Sequence, residues 1–223
     1  MQEQKIKKND FIEVEFTGKS NNEIFDTTNK EEAKLMGIDA DVKPLIISVG
    51  NQMILKGFDE QLEGKEINKK HSIKISPQDA FGLRDAKLIK TLPMKIFKEK
   101  NIQPFPGMSF QMDQYLVKIL SVSGGRVIAD FNNPLAGKEV NYDFSIKRIV
   151  EDINEKVNAL QDFFFRQRFE FSLDEQNKKV TFKKPEIKPL IEMMNQKFKE
   201  ITGFDFSVEE IKKDTKEKKE EKR

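Results

Sequence analysis

His71 is the single histidine among 223 residues, and cysteine is absent. A Ser-His-Asp set would therefore rest on His71 alone, and neither a thiol nucleophile nor a cysteine-based metal site can be built. His71 stands in KKHSIKIS, just ahead of an alternating strand, where it reads as a surface residue. There is no Gly-rich phosphate loop, no HExxH and no EF-hand spacing. No two carboxylates are placed as a buried acid–base pair. What recurs is apolar and aromatic residues beside turns: Phe16, Phe25-Asp26, Ile54-Leu55, Phe58, Phe81 and Tyr142. Taken singly, each reads as the core of a β-rich domain. Asp26 is the one carboxylate among them, and its bland reading is an exposed turn residue.

Charge narrows the classes further. Forty basic and 38 acidic residues leave a net charge of +2, without the one-signed clustering of a nucleic-acid binder. No run approaches a membrane span, and MQEQKIKKND lacks the apolar stretch of a signal peptide. The expectation is a cytoplasmic protein with no nucleic-acid or membrane partner. Abundant Lys, Glu and Ile resemble hyperthermophile composition, in which ion-pair networks are favoured.

These residues need elements to position them. Residues 11–18, FIEVEFTG, alternate as a half-buried strand. A polar Ser-Asn-Asn turn then precedes Ile24-Phe25-Asp26. Residues 30–42 read as a loop with a helical turn, and 44–49 as a strand. In VGNQMILKGFDEQLEGKE (49–66), Ile54, Phe58 and Leu62 recur at helical spacing and Gly64 can end the helix, although Gly57 weakens it. Residues 71–75 alternate again, and 76–82 form a Pro/Gly-bounded loop. Residues 86–129 change character. A proline interrupts 91–97, IQPFPG (102–107) is a turn cluster, Met108, Phe110 and Met112 alternate, and two strands flank Ser123-Gly124-Gly125. NYDFSIKRIV (141–150) reads as a return strand of the first unit, so the stretch between is an insertion. Residues 151–165 look helical, two strands flank DEQNK, and Pro185 opens a helix that Gly203 stops. Residues 204–208 could add a strand. Residues 212–223 carry no apolar side chain and are expected to be disordered.

In this order and spacing, VEFTG (14–18), IFDTT (24–28), VGNQMILKGFDEQLEG (49–64), DAFG (79–82) and YDFSI (142–146) resemble the FKBP class of peptidyl-prolyl isomerases over about residues 5 to 150. The insertion resembles the insert-in-flap domain of the SlyD-like branch, and the C-terminal region that of the long archaeal members. The resemblance implies an α+β protein in three parts: an antiparallel half-barrel wrapped on one short helix (1–85 and 130–151), a small β-rich inserted domain (86–129), and a C-terminal α+β domain (152–211). It assigns catalytic roles to Asp26, Leu55, Phe58 and Phe81. Substrate binding falls to Phe16, Phe25, Leu45, Ile47, Ile54 and Tyr142. Phe58 stands where the family often has tryptophan, and Phe16 and Phe81 where it has tyrosine, so two hydroxyls are missing. Ile54 and Phe58 are expected to face the cleft, and Leu62 to pack into the barrel.

That activity needs no cofactor, acid, base or nucleophile. The expected partners are unfolded or proline-containing polypeptides. The inserted unit is read as a chaperone surface of Leu92, Met94, Phe97, Phe105, Met108, Phe110 and Met112, of which half or more should be buried in so small a domain. The SlyD-like metal-binding tail has no match here, so no metal is expected. The apolar Phe163-Phe164-Phe165 and Phe169 suggest a homodimer through the C-terminal domain. The alternative is a holdase or adaptor that binds proline segments with little turnover.

Overall fold

Alternation of Ile12, Val14 and Phe16 with Glu13 and Glu15 makes β1 (Phe11–Ser20) the strand on which the N-terminal sheet assembles. The computed structural model describes residues 5–38 and 42–209, and the charged segment 212–223 lies outside them. β1 pairs antiparallel with β2 (Glu23–Thr27) near its end and with β3 (Leu45–Ser48) near its start. Its other edge takes β9 (Val140–Ile149), which pairs in turn with β4 (Lys70–Ile75). Between β2 and β3, Asn29 caps α1 (Lys30–Leu35) by accepting from the Glu31 and Glu32 amides. The inner faces of these strands close over α2 (Lys56–Asp59), a single helical turn. The longer helix suggested by the 54/58/62 spacing is not formed. Gly50 and Gln52 take positive φ values of 77° and 56°, and residues 60–64 continue as turns.

After β4 the chain leaves for a second sheet, β5-β8-β7-β6, made of β5 (Ile89–Pro93), β6 (Ser109–Met112), β7 (Tyr115–Ser123) and β8 (Arg126–Asp130). One face is covered by α3 (Met94–Glu99), and its small core is Phe97, Val117, Ile119, Val127 and Ala129. At the two crossings between the sheets, Gly137 N–H donates to Gly82 O at 2.8 Å and Phe131 N–H to Leu88 O at 3.0 Å.

The C-terminal part begins with α4 (Ile153–Phe164), N-capped by Asp152 and lying against β3. Arg148 of β9 ties β1 to α4 through Glu13 (2.5 Å) and Glu155 (2.8 Å). The hairpin of β10 (Phe171–Asp174) and β11 (Lys179–Phe182) forms as its turn residues suggest. A 3-10 turn at Pro185–Ile187 precedes α5 (Lys188–Thr202), and Gly203 closes it at φ 77°. α5 is the crossover that lets β12 (Asp205–Val208) pair parallel to β11. Val157, Leu160, Phe182, Ile191, Phe198 and Phe206 share one core with the N-terminal sheet. Phe163, Phe164, Phe165 and Phe169 are half-buried against that core. No described helix is long and apolar enough to cross a membrane.

Candidate functional site

Gly18 organises the inner face of the sheet. It sits opposite Asp26 on β2 and Tyr142 on β9, and the register then jumps to Lys19 opposite Ile24. Phe25 is the extra residue of this bulge, which bends β2 and aims Phe25 and Asp26 over the same region. A Cβ on Gly18 would stand 2.7 Å from Phe25 Cζ and 2.8 Å from Tyr142 Cε1. Glycine is therefore what admits both rings.

The rings form one chain, edge to face except at the tilted Tyr142–Phe58 pair. Phe81 meets Phe25 (5.5 Å), Phe25 meets Tyr142 (5.7 Å), and Tyr142 meets Phe16 (5.6 Å) and Phe58 (4.8 Å). Burial falls off along it. Phe58 is 0% exposed, Ile47 1%, Tyr142 2% and Phe16 6%. Phe25, Ile54, Leu55 and Phe81 are half-buried, while Leu45 and Asp26 are exposed. The result is an enclosed aromatic floor under a partly open apolar wall with one carboxylate at its edge. Phe58 corrects the sequence expectation. It is roofed by Phe16, Tyr142 and Phe144, so it supports the floor rather than presenting its own face. Ile54 is the half-open member of that pair, and Leu62 is fully buried as expected.

α2 delivers the remaining contacts. Leu55 occupies its N-cap position without a side-chain cap, and its N–H makes no hydrogen bond among the described residues. Gly57 N–H donates to Asp79 O at 2.9 Å, which draws the 76–82 loop, and with it Phe81, over the helix. That loop is further tied by Ser76 to Asp79 (2.9 Å) and Gly82 N–H to Pro77 O (2.7 Å). Sequence reading missed Asp59. Its buried carboxylate accepts from Gly50 N–H (2.8 Å) and Gln52 N–H (2.7 Å), fixing the turn before Ile54 and Leu55. The signal was an acid inside an otherwise apolar stripe, seven and nine residues after two turn formers.

Asp26 is exposed as a residue, but crowding around its carboxyl raises its pKa above the ordinary value, outweighing the hydrogen bond from the Thr27 backbone. A second missed feature lies behind it. Thr28 receives Phe16 N–H at 2.8 Å, and Thr17, Thr27 and Glu32 hydrogen-bond one another, locking α1 to the β1–β2 pair. His71 is not the free surface residue its sequence context suggests. It is half-buried, stacks on Phe144 at 5.1 Å, and its Nε2 lies 3.0 Å from Glu66 O.

In the inserted sheet, Phe97 is buried at 2%. Leu92, Met94, Met108, Phe110 and Met112 are half-buried against the small core, and Phe105 is 60% exposed. The open aliphatic residues there are Leu116 and Ile128, which alternate with buried Val117 and Val127, together with Ile89 and Leu120. Sequence reading passed over these four, although the same alternation marks them.

The family described as FKBP-type peptidyl-prolyl cis-trans isomerase matches residues 2–98. A short-type peptidyl-prolyl cis-trans isomerase of Methanocaldococcus jannaschii is 31% identical over 147 residues, covering 65% of this chain and 94% of that protein. The chain belongs to the FKBP-type peptidyl-prolyl cis-trans isomerases. Residues 90–135 match the family described as FKBP26, IF domain, which places the FKBP insert on the second sheet. An FKBP-type 16 kDa isomerase of Escherichia coli is 25% identical, with 65% of this chain and 93% of that protein covered. The SlyD isomerase of Haemophilus influenzae is 26% identical, with 47% and 56% covered. This FKBP chain thus spans little more than half of that SlyD protein.

Proposed function

We propose that the chain catalyses rotation about Xaa–Pro bonds in the cleft between Phe25, Phe81, Ile54 and Leu55, above the Phe16–Tyr142–Phe58 floor. The observation that carries this reading is that enclosed ring cluster beneath a half-open apolar wall with one carboxylate. The rotation barrier is roughly 18–20 kcal/mol and arises from amide resonance. Resonance puts negative charge on the carbonyl oxygen, and water stabilises that planar ground state. The twisted state carries less of this charge. Taking the bond out of water into an aromatic cleft therefore favours the twist without proton transfer. The free Leu55 N–H is available to a substrate backbone carbonyl and would fix the bond's orientation. An ionised Asp26 near the carbonyl oxygen would repel its charge and destabilise the planar form. A protease-coupled or exchange-NMR assay on a short Xaa-Pro peptide tests this. Phe25→Ala should cut the acceleration at least tenfold. An unaccelerated wild-type reaction, with binding retained, would instead favour a holdase or adaptor, the reading that the missing hydroxyls at Phe16 and Phe81 support.

The inserted sheet is proposed to hold unfolded cytosolic chains, with Leu92, Met94, Phe105, Met108, Phe110 and Met112 on its surface and Phe97 beneath. Removing residues 86–129 should abolish suppression of aggregation and spare short-peptide turnover. Survival of the suppression would move the chaperone surface elsewhere. A homodimer through the C-terminal part is proposed as well, to be checked by sedimentation of the full chain. A monomer at micromolar concentration would end that idea.

A further inference from the structure

The side chains assigned to the cleft are hydrocarbon except at Asp26 and Tyr142. These two share one row of the sheet, with Gly18 between them in register. Gly18 leaves the centre of the row empty, and the Tyr142 ring fills it so closely that a Cβ there would stand 2.8 Å away. Phe16, Phe25 and Phe58 hold that ring on three sides. The Tyr142 hydroxyl makes no hydrogen bond among the described residues, yet none of their enclosed side-chain nitrogens or oxygens lacks a partner. Both statements hold only if the hydroxyl keeps a sliver of exposure at the margin of the packed ring, and the charge of Asp26 reaches it there. Burial, and secondarily the Asp26 charge, push its pKa well above that of an ordinary phenol, so it remains a neutral donor. An ionised Asp26 can only accept, and Phe16 and Phe81 offer no hydroxyl. Tyr142 is thus the one side-chain hydrogen-bond donor among the cleft residues.

We propose that the Tyr142 hydroxyl is a specificity-determining group of the cleft. It donates a hydrogen bond to the carbonyl oxygen of the residue before proline and favours retention of the substrate over its turnover. The inference rests on the isomerase reading above. The carbonyl oxygen carries more negative charge in the planar ground state than in the twisted state, so a donor aimed at it stabilises the former more. An interaction stronger in the ground state tightens binding and slows the bound reaction together.

Tyr142→Phe removes one oxygen and keeps the ring in its stack. Exchange NMR on a short Xaa-Pro peptide, at limiting and saturating peptide, separates Kd from the rate in the complex. Both should rise by about three- to tenfold, the worth of one hydrogen bond, leaving kcat/KM nearly unchanged. The thermal unfolding midpoint should stay that of the wild type, whereas a merely structural role for the hydroxyl would lower it. An unchanged Kd, or a fall in kcat/KM, overturns the proposal. A wild-type chain that neither binds nor rotates the peptide overturns the isomerase reading itself. A wild type that does both, with a Tyr142→Phe variant indistinguishable from it, overturns only the role of the hydroxyl.

Discussion

Gly57 separates local preference from packing. Alanine is intrinsically better in a helix by about 1 kcal/mol. Here its Cβ would stand 2.4 Å from Ile75 Cγ2, 2.9 Å from Asp79 Cβ and 3.1 Å from Asp79 O. Two of those atoms belong to the segment that carries Phe81. Gly57→Ala should therefore destabilise the fold by about 1–3 kcal/mol despite the propensity gain, and it should lift the 76–82 loop and weaken peptide binding. Chemical denaturation checks the first effect, and a variant as stable as wild type would refute the close approach. Asp26 yields a pH prediction. Its folded pKa is raised, chiefly by burial, so folding binds its proton more tightly than the unfolded chain does. The stability this gives is complete below the unfolded pKa and is lost as pH rises through the folded one. If the ionised form drives rotation, turnover should fall on acidification through an apparent pKa above that of an ordinary aspartate. Asp26→Asn should flatten that limb of the profile. A limb unchanged by the substitution would assign it to another group.

At the scale of elements, strands were the legible part of the sequence because a two-residue alternation survives wherever one face is buried, as along β1 and β9. α2 was harder. Ile54, Phe58 and Leu62 have helical spacing, but only Lys56–Asp59 are helical, because Asp59 draws the Gly50 and Gln52 amides into a turn. Periodicity registers which side chains are buried and carries no record of a carboxylate collecting backbone donors. The bulge at Phe25 was invisible for a related reason, since it depends on what lies across the strand at Gly18. The apolar members of the candidate site were therefore legible as a set. Their gradient from enclosed Phe58 to exposed Leu45 was not. Asp59→Ala should strand two amides and cost about 2–4 kcal/mol. The same substitution should weaken peptide binding, because Ile54 and Leu55 follow the released turn. Loss of stability with peptide affinity intact would show that Ile54 and Leu55 hold their places without it.

At the scale of the whole molecule, a polar clasp joins the two chain crossings. Asn132 is buried, donates from Nδ2 to Asp85 O (3.0 Å) and to Asp130 Oδ1 (2.7 Å), and accepts Asp85 N–H at 2.8 Å. Asp130 also receives Asn132 N–H at 3.0 Å and pairs with Arg84. Burial alone would raise the Asp130 carboxyl, but the Asn132 hydrogen bonds, with Arg84 and Lys118 nearby, hold its pKa below the ordinary range. Its contribution is therefore present above the unfolded pKa and lost as pH falls through the folded one. Buried hydrogen-bonded networks of this kind fix geometry and are costly to leave half-made. In the sequence, Asp85, Asp130 and Asn132 are ordinary polar residues, because the two segments meet only when the inserted sheet has formed. Asn132→Ala should cost about 1–3 kcal/mol, concentrated at the crossings. Hydrogen exchange should accelerate at the Asp85 and Phe131 amides and stay slow at Val14 and Phe144. If the inserted sheet hands its cargo to the cleft, refolding of a proline-limited protein client should slow in this variant while short-peptide turnover is kept. Equal loss of both would mean that the clasp supports the cleft itself.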